Sequence, residues 1–241
     1  MLFRSLPLMV VLLFWMPNLA CYYVCYVLIF NILTAPVFMA GAITGERERQ
    51  TLDLLLTTTI TTRQILMGKL VSGYWIGAVL TAFLMFPMLL ACINPELARN
   101  ILAMIVYVAI IFVASVFNSV LSLFVSTLVR KTSTALMSCY VALIALYFLP
   151  LSIYYLVWST STTDINLEST PIQYACSTSP LMAAYSVPMF QVLSGKDIAQ
   201  AKSGDISLVV AYFVITIISI FVLFLLTSWF FRERWRLTGR G

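Results

Sequence analysis

Histidine is missing from this chain of 241 residues, and charge is scarce: Lys, Arg, Asp and Glu together make up 10% of it. The first absence removes the commonest general base and the commonest metal ligand. It also rules out a Ser-His-Asp triad. The second absence decides the solvent. A soluble globular domain carries roughly 25% charged residues, whereas 62% of this chain is hydrophobic. No soluble fold of this size hides so much apolar surface, so the sequence predicts an all-α integral membrane protein.

Other absences narrow the chemistry. There is no G-x-x-x-x-G-K-[ST] phosphate loop: Gly68-Lys69 runs into Leu70 without the earlier glycine at the required offset. The chain therefore does not hold ATP by that motif. Neither H-E-x-x-H nor G-x-S-x-G occurs, and no spans carry the paired aspartates of an intramembrane protease. A Ser-Lys dyad needs a lysine whose pKa is depressed by burial; Lys196 and Lys202, beside Ser194 and Ser203, fall in a polar loop. The five cysteines, Cys21, Cys25, Cys92, Cys139 and Cys176, have no metal-site spacing and read as small packing residues. Cys21, Cys92 and Cys176 fall towards one membrane face, and no pairing is assigned to them. Catalysis by this chain alone is not expected, nor is a cofactor or metal of its own. The net charge of +5 is explained by where the charges lie rather than by nucleic acid.

Long charge-free runs mark the spans. They cover 19–43, 70–93, 100–129, 133–158 and 206–231, each longer than the ~20 residues that cross a bilayer as a helix. A sixth apolar run, from Leu6 to Met16, turns at Pro17-Asn18 and makes a first span at about 5–18, short or truncated. It imitates a signal peptide, but no A-x-A-like site follows and apolar character continues through Ile43. About six spans result, in one transmembrane domain over 1–241.

With the N-terminus inside and alternating sides, the inner face holds Arg4, Arg47, Arg49, Arg63, Lys69, Arg130, Lys131, Arg232, Arg234, Arg236 and Arg240. Only Arg99, Lys196 and Lys202 fall outside. This asymmetry predicts that both termini are cytoplasmic, in a multi-pass protein of the cell inner (plasma) membrane. The acids also fall in loops or at helix ends, so no ionisable group lies within a span. That argues against an ion-coupled transporter, a proton pump or a voltage sensor.

Pro36, Pro87 and Pro150 interrupt spans and read as kinks. Asn31 and Asn118 are strongly polar in mid-span; interhelical hydrogen bonding and contact with a substrate pathway are the two readings. The outer segment 159–205 opens as a polar loop. It then turns apolar around Pro180 and Pro188, which predicts short interfacial or re-entrant helices before the last span.

The charge gathers in the segment 44–69. Wound at about 100° per residue, 46–56 is a two-faced helix: Glu46, Arg49, Gln50 and Asp53 share one face, Leu52 and Leu55 the other, with Leu54 and Leu56 at its boundaries. Arg49 and Asp53 are i,i+4 neighbours able to pair. Glu48 is the exception, pointing between Leu52 and Leu55. The β-branched run Thr57 to Thr62 then weakens a helix. Thr61 with Gln64 forms a capping box for the restart. Residue pattern alone leaves two roles open for the 46–56 helix: lying on the inner leaflet, or docking into another protein.

The stretch "AGAITGERERQTLDLLLTT", followed by "ILMGKL" entering the next span, resembles permease subunits of the ABC-2 type (type II ABC exporters). The family pattern is close to A-G-x-I-A-x-E-R-E-x-G-T-L-E-x-L-L-x-T-P, then G-K. Ala40-Gly41, Ile43, Glu46-Arg47-Glu48, Thr51-Leu52, Leu55-Leu56, Thr58 and Gly68-Lys69 match it. Thr44 replaces the usual alanine, Gln50 the usual glycine, Asp53 the usual glutamate and Thr59 the expected proline. In that family a full first span follows an amphipathic helix, so the start here looks truncated by comparison. The resemblance implies a permease subunit of an ATP-driven exporter. It would work with a second permease subunit, identical or different, and with a separate ATP-binding subunit that carries ATP and Mg. Glu48, Leu52, Leu55 and Leu56 would dock in that ATPase, while Glu46, Arg49 and Asp53 lie on the opposite face, Glu46 and Arg49 setting the elbow at the membrane surface. The alternative is a non-transporting membrane scaffold or assembly factor with an ABC-2-like body.

Overall fold

The structure is a computed structural model that describes residues 20–50, 62–91, 93, 101–160, 178–187 and 203–238. The described elements are helices: α1 (Ala20–Met39), α2 (Gly41–Glu48), α3 (Thr62–Ala91), α4 (Ile101–Leu128), α5 (Thr132–Thr160), α6 (Pro180–Tyr185) and α7 (Ser203–Thr238). Among the described residues, five helical stretches are long and apolar enough to cross a membrane, with α1 and α2 together making one of them. They correspond to the runs at 19–43, 70–93, 100–129, 133–158 and 206–231. The first expected span at 5–18 lies outside the described residues, as do Cys92, Cys176, Leu52, Asp53, Leu55 and Leu56.

Two helices outrun their apolar cores. α3 begins at Thr62, the residue after the expected cap Thr61, and so takes in Arg63 and Lys69. α7 runs through Thr238, beyond the apolar run ending at 231. Residues 232–237 contain no Gly or Pro; the next breaker is Gly239. Arg, Glu and Leu are good helix formers, so the backbone ladder continues past the hydrophobic boundary. The helix of 30 residues at α3 is about 45 Å long at 1.5 Å per residue. That exceeds the ~30 Å hydrocarbon layer and leaves its charged first turns room to emerge. Pro36, Pro87 and Pro150 sit inside α1, α3 and α5 as expected.

The chain divides into two compact units. The first comprises Met1–Ile29, Leu80–Val113 and Leu146–Ile215. Its interior includes the buried Val24, Leu28, Tyr107, Ile110, Tyr147 and Tyr212. The Tyr23 hydroxyl donates to the Leu84 carbonyl. The Cys21 thiol donates to the Ala184 carbonyl at 3.5 Å, which sets the short helix α6 against α1. Pro180 at the first position of α6 suits a helix start, where its missing N–H costs nothing.

The second unit comprises Phe30–Val79, Ala114–Ala145 and Thr216–Gly241. Met39, Ile43, Leu66, Leu123 and Phe231 form its core, with Ala42 and Leu70 packed against them. Phe124 and Phe230 meet edge to face at 6.1 Å, and the Tyr140 hydroxyl donates to the Leu33 carbonyl at 2.8 Å. Large apolar side chains such as Trp75, Val141 and Phe221 stay exposed. In a bilayer that is no liability, because lipid tails are as apolar as leucine.

Candidate functional site

The segment singled out by its charges begins at a break in the first span. α1 ends at Met39 and α2 starts at Gly41, with Ala40 between them. A hydroxyl from another helix fills the break. Ser126 Oγ on α4 donates to the Ala40 carbonyl at 2.7 Å. It also accepts from the Ile43 and Thr44 amides at 3.3 and 3.4 Å. The Thr44 hydroxyl donates back to the same Ala40 carbonyl at 2.8 Å. A side chain inserted into the i→i−4 ladder is one of the few physical causes of a helix break. Ala40, Thr44 and Ser126 are fully buried, so the satisfied backbone groups are held away from water, where an orphan would be costly.

The charged residues at the end of α2 reach two places: Glu46 reaches α3, and Arg47 and Glu48 reach the two ends of the turn between α4 and α5. Glu46 forms an ion pair with Lys69 of α3. Arg47 Nη1 donates to the Val129 carbonyl at 2.8 Å, just past the end of α4. Glu48 takes the first residue of α5 with both oxygens: Oε1 accepts the Thr132 amide at 2.8 Å and Oε2 the Thr132 hydroxyl at 2.9 Å. The signs match the helix ends. A guanidinium suits the negative C-terminus of α4, and a carboxylate suits the positive N-terminus of α5.

α2 stops immediately afterwards. Arg49 is its C-cap, with its amide donating to Gly45 O at 3.2 Å. Gln50 follows in the left-handed region at φ 56°, its amide donating to Arg47 O at 3.1 Å. Position, handedness and hydrogen bond are those of the residue just beyond a helix C-cap, where glycine is preferred. Glycine is the residue that the ABC-2 pattern carries here. The helix expected over 46–56 is thus not continuous: Glu46, Arg47 and Glu48 are the last turn of a helix that began at Gly41, and the backbone turns at Gln50. The physical reason is that the ends of α4 and α5 hold Arg47 and Glu48 in the helix begun at Gly41, and the left-handed Gln50 then turns the chain out of it.

This alters the expected placements. Glu48 accepts from the Thr132 amide and hydroxyl. Glu46 contacts α3, and Arg49 is exposed at the cap. Leu52, Asp53, Leu55 and Leu56, and with Asp53 the expected Arg49–Asp53 pair, lie outside the described residues. Arg47, Lys69, Ser126, Val129 and Thr132 belong to the site and were not anticipated as partners. Their contacts span 23 to 86 positions, and no local spacing encodes such distances. Only the run "RKTST" at the start of α5 carried a hint, as a polar helix start.

Asn31 and Asn118 do meet. Asn118 Nδ2 donates to Asn31 Oδ1 at 2.9 Å, and both residues are buried. Asn118 lies in a polar stripe of α4 with Ser115, Ser119, Ser122 and Ser126, which recur at helical spacing and are all buried, and Asn31 meets it from α1. Ser115 donates to the Tyr74 hydroxyl at 3.3 Å. Interhelical hydrogen bonding therefore describes what the two asparagines do within this subunit.

No individual curated protein matches the chain. The model of a family described as ABC-2 family transporter protein matches residues 9–234. That match spans nearly the whole sequence, and it falls on a chain whose described residues supply five membrane-capable helices. The chain belongs to the ABC-2 transporter family, as a multi-pass membrane permease.

Proposed function

We propose that the chain is the membrane-spanning subunit of an ATP-driven exporter of the cell inner (plasma) membrane. Both termini and the segment 44–69 are cytoplasmic. A second permease subunit completes the pathway, and separate ATP-binding subunits supply ATP and Mg. What supports a coupling role is the set of contacts at residues 46–48. A displacement delivered just beyond Gln50 meets a helix end bonded to Lys69, Val129 and Thr132. It is therefore passed to α3, α4 and α5 as well as back along α2 to the break at Ala40.

In this reading the leucines after Gln50 make the docking surface. Leu52, Leu55 and Leu56 insert in the ATPase groove, with Arg49 and Asp53 at its rim. Glu46 and Glu48 act from within the subunit, by holding the elbow to the helix ends. Mid-span positions carry no fixed charge, which suits an apolar or amphiphilic cargo better than a bare ion.

The test is co-purification in mild detergent. The wild-type chain should bring down an ATP-binding protein with a phosphate loop and stimulate its hydrolysis. The variants Leu52→Asp and Leu55→Asp should lose both by about tenfold or more, since a buried unpaired carboxylate in an apolar groove costs several kcal/mol. Unaltered association and stimulation in both variants would refute docking through this segment.

A further inference from the structure

Arg47 and Glu48 grip the two ends of one short turn. α4 ends at Leu128 and α5 begins at Thr132; Arg47 holds the carbonyl of Val129, which enters the turn, and Glu48 holds the amide and hydroxyl of Thr132, which leaves it. One helical turn inside α4, Ser126 holds the start of α2 through three backbone groups. Near the same end, a Cβ at Gly41 would lie 3.5 Å from Thr132 Cγ2. So α2 is fastened at its start to Ser126 of α4 and at its end to the α4–α5 turn. Its weak point is its junction with α1, where the helix is interrupted at Ala40.

We infer that Arg47 and Glu48 form a clip that makes α2 and the α4–α5 turn one rigid body, pivoting against α1 at Ala40. This assigns positioning roles to Arg47, Glu48 and Ser126, and it makes Thr132 a partner in conformational change rather than a simple helix start. The alternative is local: Glu48 caps α5, and nothing mechanical follows. The two differ in what a substitute cap can repair. Lys131 is the N-cap residue of α5, since its carbonyl accepts the Ala135 amide at 2.9 Å. Serine is a good N-cap, so Lys131→Ser can cap α5 without any link to α2.

The experiment is hydrogen–deuterium exchange by mass spectrometry on the full chain in lipid nanodiscs. Glu48→Ala should raise exchange about tenfold in peptides covering 41–48 and 129–136 together. In Glu48→Ala with Lys131→Ser, protection should return to 132–136 and stay lost at 41–48. Exchange raised at 129–136 alone in the single variant, or restored in both segments by the serine cap, would overturn the clip. If Glu48→Ala does not fold, Thr132→Val removes only the hydroxyl bond. A rise of a few-fold in both segments then supports the clip, and a rise confined to 129–136 overturns it. The consequence for transport rests on the coupling reading, but the clip does not. No ATPase is needed, so failure here leaves the exporter standing, and a failed pull-down leaves the clip standing.

Discussion

Replacing Gln50 by glycine should stabilise the protein. Gln50 sits at φ 56° with its amide bonded to Arg47 O, and its side chain is exposed. A residue with a Cβ pays about 1–2 kcal/mol in this region. Glycine removes that cost but has more backbone freedom to lose on folding, about 0.5–1 kcal/mol. The exposed side chain forfeits little burial. The balance is a gain of about 0.5–1 kcal/mol, or roughly 1–4 °C in Tm for a chain of this size. Thermal unfolding in one detergent, read by tryptophan fluorescence or far-UV circular dichroism, measures it. Gln50→Ala keeps the left-handed penalty and should sit near the wild type. Gln50→Val adds β-branching where φ is positive and should lose about 1–2 kcal/mol. A glycine variant that melts below the wild type, or together with the alanine variant, would refute the assignment of Gln50 as the residue beyond the C-cap.

The asparagine pair and two glycines give further expectations. Asn118→Leu should cost about 1–2 kcal/mol, because the Asn31 amide loses a buried partner. Asn31→Leu with Asn118→Leu should recover at least half of that, and strictly additive losses in the double-mutant cycle would show that the pair is not coupled. An added Cβ at Gly73 would run into Met39 Sδ, in the core of the second unit, whereas at Gly77 it meets nothing within 4 Å. Gly77→Ala should therefore gain about 0.5–1 kcal/mol of helix propensity. Gly73→Ala should fall about 1 kcal/mol or more below it through overpacking. Equal Tm shifts for the two would contradict the packing of Met39 against α3.

The exposed apolar faces bear on how such a protein is to be handled. Trp75, Val141 and Phe221 are all more than 60% exposed, a state that only lipid, detergent or another apolar surface tolerates. The Tm comparisons above therefore belong in a single amphiphile, with the concentration of protein held fixed.

Much of the architecture is legible in sequence because its causes are local. The length of an apolar run sets whether a helix can cross a bilayer, and charges must stay outside it, so the spans from 19–43 to 206–231 and the scarcity of mid-span charge follow from the order of residues. Even the glycine expected at position 50 was visible as a departure from the family pattern, although its meaning was not. What the sequence could not settle is where charged side chains find partners. Glu46, Arg47 and Glu48 are neighbours in the chain, yet Glu46 meets Lys69 of α3, while Arg47 and Glu48 meet the distant turn between α4 and α5 at Val129 and Thr132. A two-faced helix over 46–56 was a fair reading of local periodicity. Among the described residues that helix ends at Glu48 and the chain turns at Gln50, where the ends of α4 and α5 hold Arg47 and Glu48. Composition determined the solvent and the spans; only packing decided that Glu46, Arg47 and Glu48 bind the protein's own helices.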